Sequence, residues 1–291
     1  MFAGFTQRNN FGMGGGTVSP PSAFPTRPIG QLGNFNLFAT NFLAVTGITD
    51  SNIQSAINQL CTDLVNTGLM DKMIAVYPFV GGSATTHKYN LKDPRDADTA
   101  FRLEFNGGAT HSSTGYLPSI TNGFANTFCN SLTNLPSTNC HMSFYSRTNI
   151  TTQNTSRNEM GNIIAAGTPA CLLVGSWLYL IGSGTVNTGG QSFTTTNTTL
   201  GLWLASKVSN SQRFGQRNGV LNTGSVLTAN DTSALPSLNI FIGARNQSGS
   251  AVNYASKECA FATIGLGLTQ QEGTTLYNII QTFQTTLGRQ V

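Results

Sequence analysis

The chain has 291 residues, of which 39% are hydrophobic and only 9% charged, with a formal net charge of +4. An average soluble domain carries roughly 25% charged residues, so Asn, Thr, Ser and Gln must supply the polar surface, which excludes a long amphipathic helix bundle with Lys and Glu on its outer faces. Disorder is excluded by the same balance, and the scattered Lys and Arg, with no basic arm or stripe, predict no nucleic-acid partner.

Residues 1–34 carry Gly14-Gly15-Gly16, Pro20, Pro21, Pro25 and Pro28, with Phe2, Phe5, Phe11 and Phe24 between them. Such a segment cannot build its own core, and aromatics are unusual in a solvated linker. The expectation is an extended N-terminal arm that anchors on a neighbouring subunit. No basic stretch followed by an apolar one opens the chain, and no run of about 18 apolar residues occurs, so neither a signal peptide nor a membrane span is expected and synthesis should be cytoplasmic.

Residues 35–75 read as a helical attachment segment. Its clear element runs from about Asp50 to Thr67, with Ile53, Ile57, Leu60, Leu64 and Val65 on one face. Thr49 or Asp50 supplies the N-cap, and Gly68 stands where a left-handed residue ends a helix. A strand follows over Met73–Phe79, stopped by Pro78 and the Gly81-Gly82 turn.

Residues 76–291 read as strands and loops closed by one helix. Phe101–Phe105, Met142–Ser146 and Leu200–Leu204 alternate with period two, as strands with one wet face do. Leu172–Ile181 and Leu238–Ala244 are more continuously apolar, which fits strands covered on both faces. Turn-rich connections such as Thr185–Gly190 and Asn246–Ser250 complete the pattern of a sandwich or barrel. At the end, Thr269 and Glu272 form a capping box before Leu276, Ile279, Ile280, Phe283 and Leu287, and Gly288 stops the helix.

Two stretches resemble known families. The first runs from Ala56 through Ser113 and includes Leu64-Val65-Asn66-Thr67-Gly68-Leu69-Met70-Asp71-Lys72-Met73, Tyr77-Pro78-Phe79-Val80-Gly81-Gly82, His87–Pro94 and Gly107-Gly108-Ala109-Thr110-His111-Ser112-Ser113; Ser143–Asn149 belongs with it. It resembles a recurrent module of tailed-bacteriophage virion and tail proteins. The second, Asn239 to Arg289, contains Ile240–Arg245, Phe261–Thr269, Glu272, Leu276-Tyr277 and Leu287-Gly288-Arg289. It resembles the last strands of the laminin-G-like, concanavalin A-like jelly roll. Together the resemblances imply a mainly β, antiparallel two-sheet jelly-roll sandwich with an N-terminal extended arm and helices near each end. They also imply a structural subunit of a virion assembled in the host cytoplasm: a head decoration, fibre, collar or tail protein. Its partners would be other virion proteins and copies of itself, as a trimer or higher oligomer, and the alternative is an adhesin for a host-surface glycan. That family's calcium and sugar ligands have no counterparts here, so no such site is carried over.

The residue types that carry chemistry are sparse. A glycosidase needs two carboxylates roughly 5 Å apart, or wider for inversion, yet none of the 11 Asp and Glu alternate within an apolar strand. Polysaccharide depolymerisation is therefore the weakest of the functions considered. Asp93, Asp96 and Asp98 are candidates for gathering oxygens around calcium, but pairing with Lys92, Arg95 or Arg102 in a turn is the plainer reading. His87, His111 and His141 occur without an HExxH motif, and no G-x-S-x-G elbow or phosphate loop is present. Gly12–Gly16 reads as linker, because neither a strand nor a helix flanks it. Trp177, Trp203 and Tyr179 are candidates for stacking on a sugar, although aromatics in apolar strands usually build the core. The Asn-x-Ser/Thr triplets at Asn149 and Asn197 carry no meaning without secretion. The five cysteines, Cys61, Cys129, Cys140, Cys171 and Cys259, lack CxxC spacing and read as buried free thiols; Cys129 and Cys140 are the pair placed to bridge in an oxidising medium. The expected catalytic, cofactor and metal sites are therefore none, with no enzyme activity.

Overall fold

The computed structural model describes residues 35–150, 157–164, 170–173, 178–179, 190–191, 198–222, 228, 230–232 and 234–291. The expected arm over 1–34, most of Leu172–Ile181 and the loop 185–189 lie outside the described residues, as does Trp177.

Helix α1 (Phe35–Thr46) carries no charged residue. In α2 (Ser51–Asn66), Ala56, Ile57, Leu60, Cys61, Leu64 and Val65 are buried, and the Asp50 carboxylate accepts from the amides of Asn52 and Ile53 at 2.8 and 3.1 Å. That is the end the sequence predicts, and Gly68, at φ +75°, takes the left-handed turn into α3 (Leu69–Lys72). Two short helices follow, α4 (Ala84–His87) and α5 (Ser131–Asn134), and α6 (Gln270–Thr286) closes the chain. The Thr269–Glu272 capping box is present, and Glu272 also meets Lys72 at 2.6 Å, tying the end of α3 to the start of α6.

The strands begin with β1 (Met73–Tyr77), β2 (Glu104–Asn106), β3 (Ala109–Ser112), β4 (Gly115–Pro118) and β5 (Phe124–Asn130). Next come β6 (Cys140–Ser146), β7 (Met160–Ile163), β8 (Ala170–Leu173), β9 (Leu178–Tyr179) and β10 (Gly190–Gln191). The series ends with β11 (Gly201–Ser209), β12 (Gln212–Arg217), β13 (Val220–Leu221), β14 (Asn239–Ile242), β15 (Arg245–Gln247), β16 (Ser250–Val252) and β17 (Cys259–Gly265). One sheet runs β13-β12-β11-β6-β17-β4-β3, with β1 also paired to β17. A second runs β16-β15-β7-β14-β5-β2, with β8 paired to β7, and β9 and β10 form a separate two-stranded ladder. Pairing is antiparallel except between β15 and β7, which are parallel. The protein is thus mainly β, a two-sheet sandwich with helices near its ends.

Two cores divide the interior, and the first sheet has a face in each. Met142 and Phe144 of β6, Trp203 and Ala205 of β11, and Ala262 and Ile264 of β17 pack toward the second sheet's Ala125, Met160, Ile240 and Ile242. Their neighbours Tyr145, Leu202, Leu204 and Phe261 pack instead with Ile57, Leu60 and Leu64 of α2 and Leu276, Ile280 and Phe283 of α6. Helices from opposite ends of the chain therefore cover the Ser143–Tyr145 face of β6, which the alternation in Met142–Ser146 predicts to be wet, together with the Leu202–Leu204 face of β11. β6 is buried at every position, and β11 from Gly201 to Lys207. The residues on the covered face that are not apolar are neutral and hydrogen-bonded, such as Ser206, whose hydroxyl donates to Leu268 O at 2.7 Å. Helix α6 approaches closely because residue 273 is glycine: a Cβ there would lie 1.9 Å from Gln216 Oε1. Strand β5, by contrast, alternates between buried and half-buried positions, as one open face requires.

The strand predicted over Phe101–Phe105 is shorter than expected. Phe101 has φ +59° and closes a turn onto Asp98, and its carbonyl accepts from Tyr77 Oη at 2.6 Å, so extended pairing begins only at Glu104.

Candidate functional site

Both sequence stretches that carry a family resemblance converge at the end of β1. Beyond Tyr77 the chain reverses through Phe79 (φ +44°), Gly81 (φ +87°) and Gly82 (φ +72°). Residue 81 must be glycine on a second count, since a Cβ would sit 2.7 Å from Thr86 Oγ1. Ser83 then caps α4, its hydroxyl accepting from the Thr86 amide at 3.2 Å. This turn carries His87 into the interior, where its Nδ1 lies 3.0 Å from Nδ1 of His111 on β3. Phe79, Phe105 and Tyr116 surround the two imidazoles, with Phe79 stacked on Tyr116 and Phe105 edge-on to His111.

Arg289 lies fully buried beneath the same turn. Its Nη2 donates to the carbonyls of Pro78 at 2.6 Å and Ala260 at 3.0 Å, and its Nη1 to those of Phe79 at 2.8 Å and Ser113 at 3.3 Å. Its Nε donates to Gln284 Oε1 at 2.6 Å. One guanidinium thereby joins the end of β1, the β3–β4 turn, β17 and the end of α6. Burial depresses its pKa to about 9, with the nearby Arg147 charge acting in the same direction and Glu258 opposing. Arg147 itself bonds the Arg289 carbonyl at 2.8 Å and Glu258 at 3.2 Å.

Above this node lies an open cleft of about 370 Å³. One wall is the α1–α2 turn with Thr46, Thr49 and Asp50; the other holds Gly81, Gly82, Thr86 and Ser113. Asp50 is the ionisable side chain in that lining, and its carboxylate is already engaged in capping α2. The cleft offers hydroxyl and amide groups for hydrogen bonding and no acid facing a second acid.

The aspartates at 93, 96 and 98 are paired locally rather than gathered. Asp93 meets Arg95 at 2.5 Å, Asp96 meets Lys88 at 2.5 Å, and Asp98 meets Arg102 at 2.8 Å. Lys92 turns away to donate to Met70 O. Among the described residues, no group of three or more His, Cys, Asp or Glu is placed to hold a metal ion. Trp203 is core: it is buried, its Nε1 donates to Thr199 O at 2.9 Å, and the Arg217 guanidinium lies over its ring. Tyr179 lies on β9.

His141 heads a buried chain, its Nδ1 2.6 Å from Leu266 O, its Nε2 2.9 Å from Thr263 Oγ1, and Thr263 in turn 2.6 Å from Ser143 Oγ. The base–hydroxyl order resembles an activated nucleophile, but all three side chains are sealed from solvent between β6 and β17. Burial lowers the His141 pKa to about 4. Cys129 and Cys140 are buried free thiols in one core, both pushed up to about 12 by desolvation, so they are poor nucleophiles.

Sequence reasoning did not find the buried ion pairs. Glu159 meets Lys257 with both side chains inaccessible, and Asp231 is held by Arg213 at 2.6 Å and Lys207 at 3.2 Å. Nothing local marks these residues, since each pair joins positions 18 to 98 residues apart. For Arg289 the signal lay in its place within Leu287-Gly288-Arg289, directly after the helix stop.

No family model and no curated protein sequence matches the chain. Similar solved structures include domain 4 of AbnA, an extracellular arabinanase from Geobacillus stearothermophilus solved with arabinotriose, at 15% identity and TM-score 0.47, covering 71% of this chain and 98% of that one. A Trypanosoma rangeli sialidase mutant displaying trans-sialidase activity aligns at 11% identity and TM-score 0.47, over 87% of this chain and 40% of that one. The binding domain of botulinum neurotoxin serotype D aligns at 12% identity and TM-score 0.39, over 72% of this chain and 52% of that one. The chain thus spans about half or less of the last two, and at these identities and scores the likenesses assign neither a family nor an activity.

Proposed function

We propose that the chain is a non-catalytic structural subunit of a tailed-phage virion, acting by binding and assembly. One observation carries the non-catalytic part: the buried ionisable side chains Arg289, Glu159, Lys257, Lys207, Arg213 and Asp231 are engaged in joining strands, turns and helices to one another. A buried charge held this way is organised for a fixed shape, because moving it leaves its partner desolvated and unpaired. The virion part rests on the resemblance of the Ala56–Ser113 stretch. Assembly into a homo-oligomer of three or more copies, with the N-terminal segment contacting neighbours, belongs to the same proposal.

Immunogold labelling of purified particles tests it. Label on intact particles at regular positions is the expected result; label confined to unassembled lysate protein would remove the proposal. A second reading, a host-glycan adhesin, is favoured by the hydroxyl-lined cleft between Thr49 and Ser113. It predicts glycan-array binding that weakens when Thr49 and Ser113 are replaced by Val and Ala.

A further inference from the structure

We propose that the His87–His111 contact is an acid-sensitive clasp: protonating the pair releases α4 from the β3–β4 hairpin and opens the cleft wall that these two elements form. The geometry sets the condition. Two Nδ1 atoms at 3.0 Å make a hydrogen bond only when one carries a proton and the other does not. A first added proton on His111, which is only partly buried, preserves that bond. A second, on His87, sets two N–H groups against each other and the bond is lost.

The surroundings give the second proton nowhere favourable to go. His87 is 1% exposed, and its Nε2 has no hydrogen-bond partner among the described residues. From the segment after α6 the element facing it is the Arg289 guanidinium, a like charge. Phe79 meets the His87 ring edge-on, and the Tyr116 ring of β4 lies against His111, its hydroxyl also lacking a partner among the described residues. On α4 itself the adjoining Lys88 is paired with Asp96. Glu258, the acid that precedes β17, is already engaged by Thr114, Ser112 and Arg147. Burial, with the charges of His111 and Arg289 adding to it, holds the His87 pKa down near 3, and burial lowers His111 as well.

The sign follows from linkage. His87 binds a proton readily once released, near pH 6.5, and poorly while clasped, so the clasp holds above pH 6.5 and weakens progressively as pH falls toward 3. At pH 5 the released state gains about thirty-fold in population from His87 alone, given an unperturbed histidine pKa of about 6.5. The clasp joins the two parts of one cleft wall, since α4 supplies Thr86 and the β3–β4 turn supplies Ser113. Acid therefore changes the shape of this wall.

Hydrogen exchange of the full chain at pH 7.5 and 5.0, corrected for intrinsic rates, reads the clasp directly. The expected result is an opening of residues 83–90 and 108–116 that rises at least ten-fold at pH 5.0 and stays well above that of β6, and a His87→Gln/His111→Gln variant that shows no such step. Equal protection of both segments at the two pH values, or opening of the two segments no greater than that of β6 at pH 5.0, would overturn the proposal. If the double variant does not fold, the comparison of the two segments with β6 in the unmodified chain decides alone.

Discussion

Replacing Arg289 by Met tests the packing account at its most connected point. Met keeps much of the aliphatic volume and removes the guanidinium, which makes five hydrogen bonds to Pro78, Phe79, Ser113, Ala260 and Gln284. Each buried acceptor left unsatisfied costs about 1–3 kcal/mol. Of the four carbonyls released, Ala260 keeps a bond from Gln284 Nε2 at 3.4 Å. Ser113 is exposed and its carbonyl can take water, so the carbonyls of Pro78 and Phe79 and Gln284 Oε1 are the buried acceptors left, a gross loss of about 3–9 kcal/mol, which relief of guanidinium desolvation, several kcal/mol, partly offsets. The net expectation is a loss of about 3–5 kcal/mol, the range for breaking one side of a buried charged network, or a fall in Tm of about 6–20 °C at 2–4 °C per kcal/mol. Urea titration followed by tryptophan fluorescence and far-UV circular dichroism measures it. Arg289→Lys should recover only part of the loss, because one ammonium with three donors cannot replace the five bonds of the guanidinium. A change below about 1 kcal/mol for Arg289→Met, with an unaltered denaturant slope, would refute the reasoning that this side chain joins the four elements.

Three further outcomes follow from the same structure. His141 is neutral when folded, with its pKa lowered to about 4, so the unfolded chain takes up a proton first as pH falls below about 6.5; its contribution is about 2 kcal/mol of lost stability at pH 5, seen as a lower urea midpoint than at pH 7.5. A midpoint unchanged between those pH values would contradict it. Lys257→Met alone strands a buried Glu159 carboxylate and should cost about 3–5 kcal/mol, whereas Glu159→Leu/Lys257→Met should restore most of that loss; equal losses in the single and double variants would count against a paired role. Asp50→Ala removes the α2 cap and should lower stability by about 1 kcal/mol, and a loss below the error of the denaturation curve would show that the cap is dispensable.

What the sequence disclosed follows the range of the forces involved. The ends of α2 and α6 were legible because caps and stops act within four residues: Asp50, Gly68 and the Thr269–Glu272 pair stand beside the turns they control. The β-rich class was legible from period-two alternation and turn residues. The covered outer face of β6 and β11 was not, because its cover comes from residues 51–66 and 270–286, and alternation alone cannot distinguish a polar residue facing water from one facing a helix. Ser143 and Ser206 look like a wet face in sequence and are fully buried in the fold. The left-handed Phe101 was hidden inside an alternating run, since its conformation is imposed by a turn onto Asp98 and by Tyr77. The pairs of Asp93 with Arg95 and of Asp98 with Arg102 were readable because the partners lie within four residues; Lys88, eight residues before Asp96, was missed, and Lys92 donates to Met70 O instead. The partners of Arg289, by contrast, include Pro78 and Phe79, more than 200 residues away.

The central claim is that this chain works as a building part of a particle. Quantitative mass spectrometry of gradient-purified virions, with labelled reference peptides from α2 and β17, counts its copies against the major capsid protein. A fixed copy number in multiples of three or more, resistant to high-salt washing, is the predicted result. Absence from purified particles, with the chain recovered quantitatively in the soluble fraction of the lysate, would contradict it.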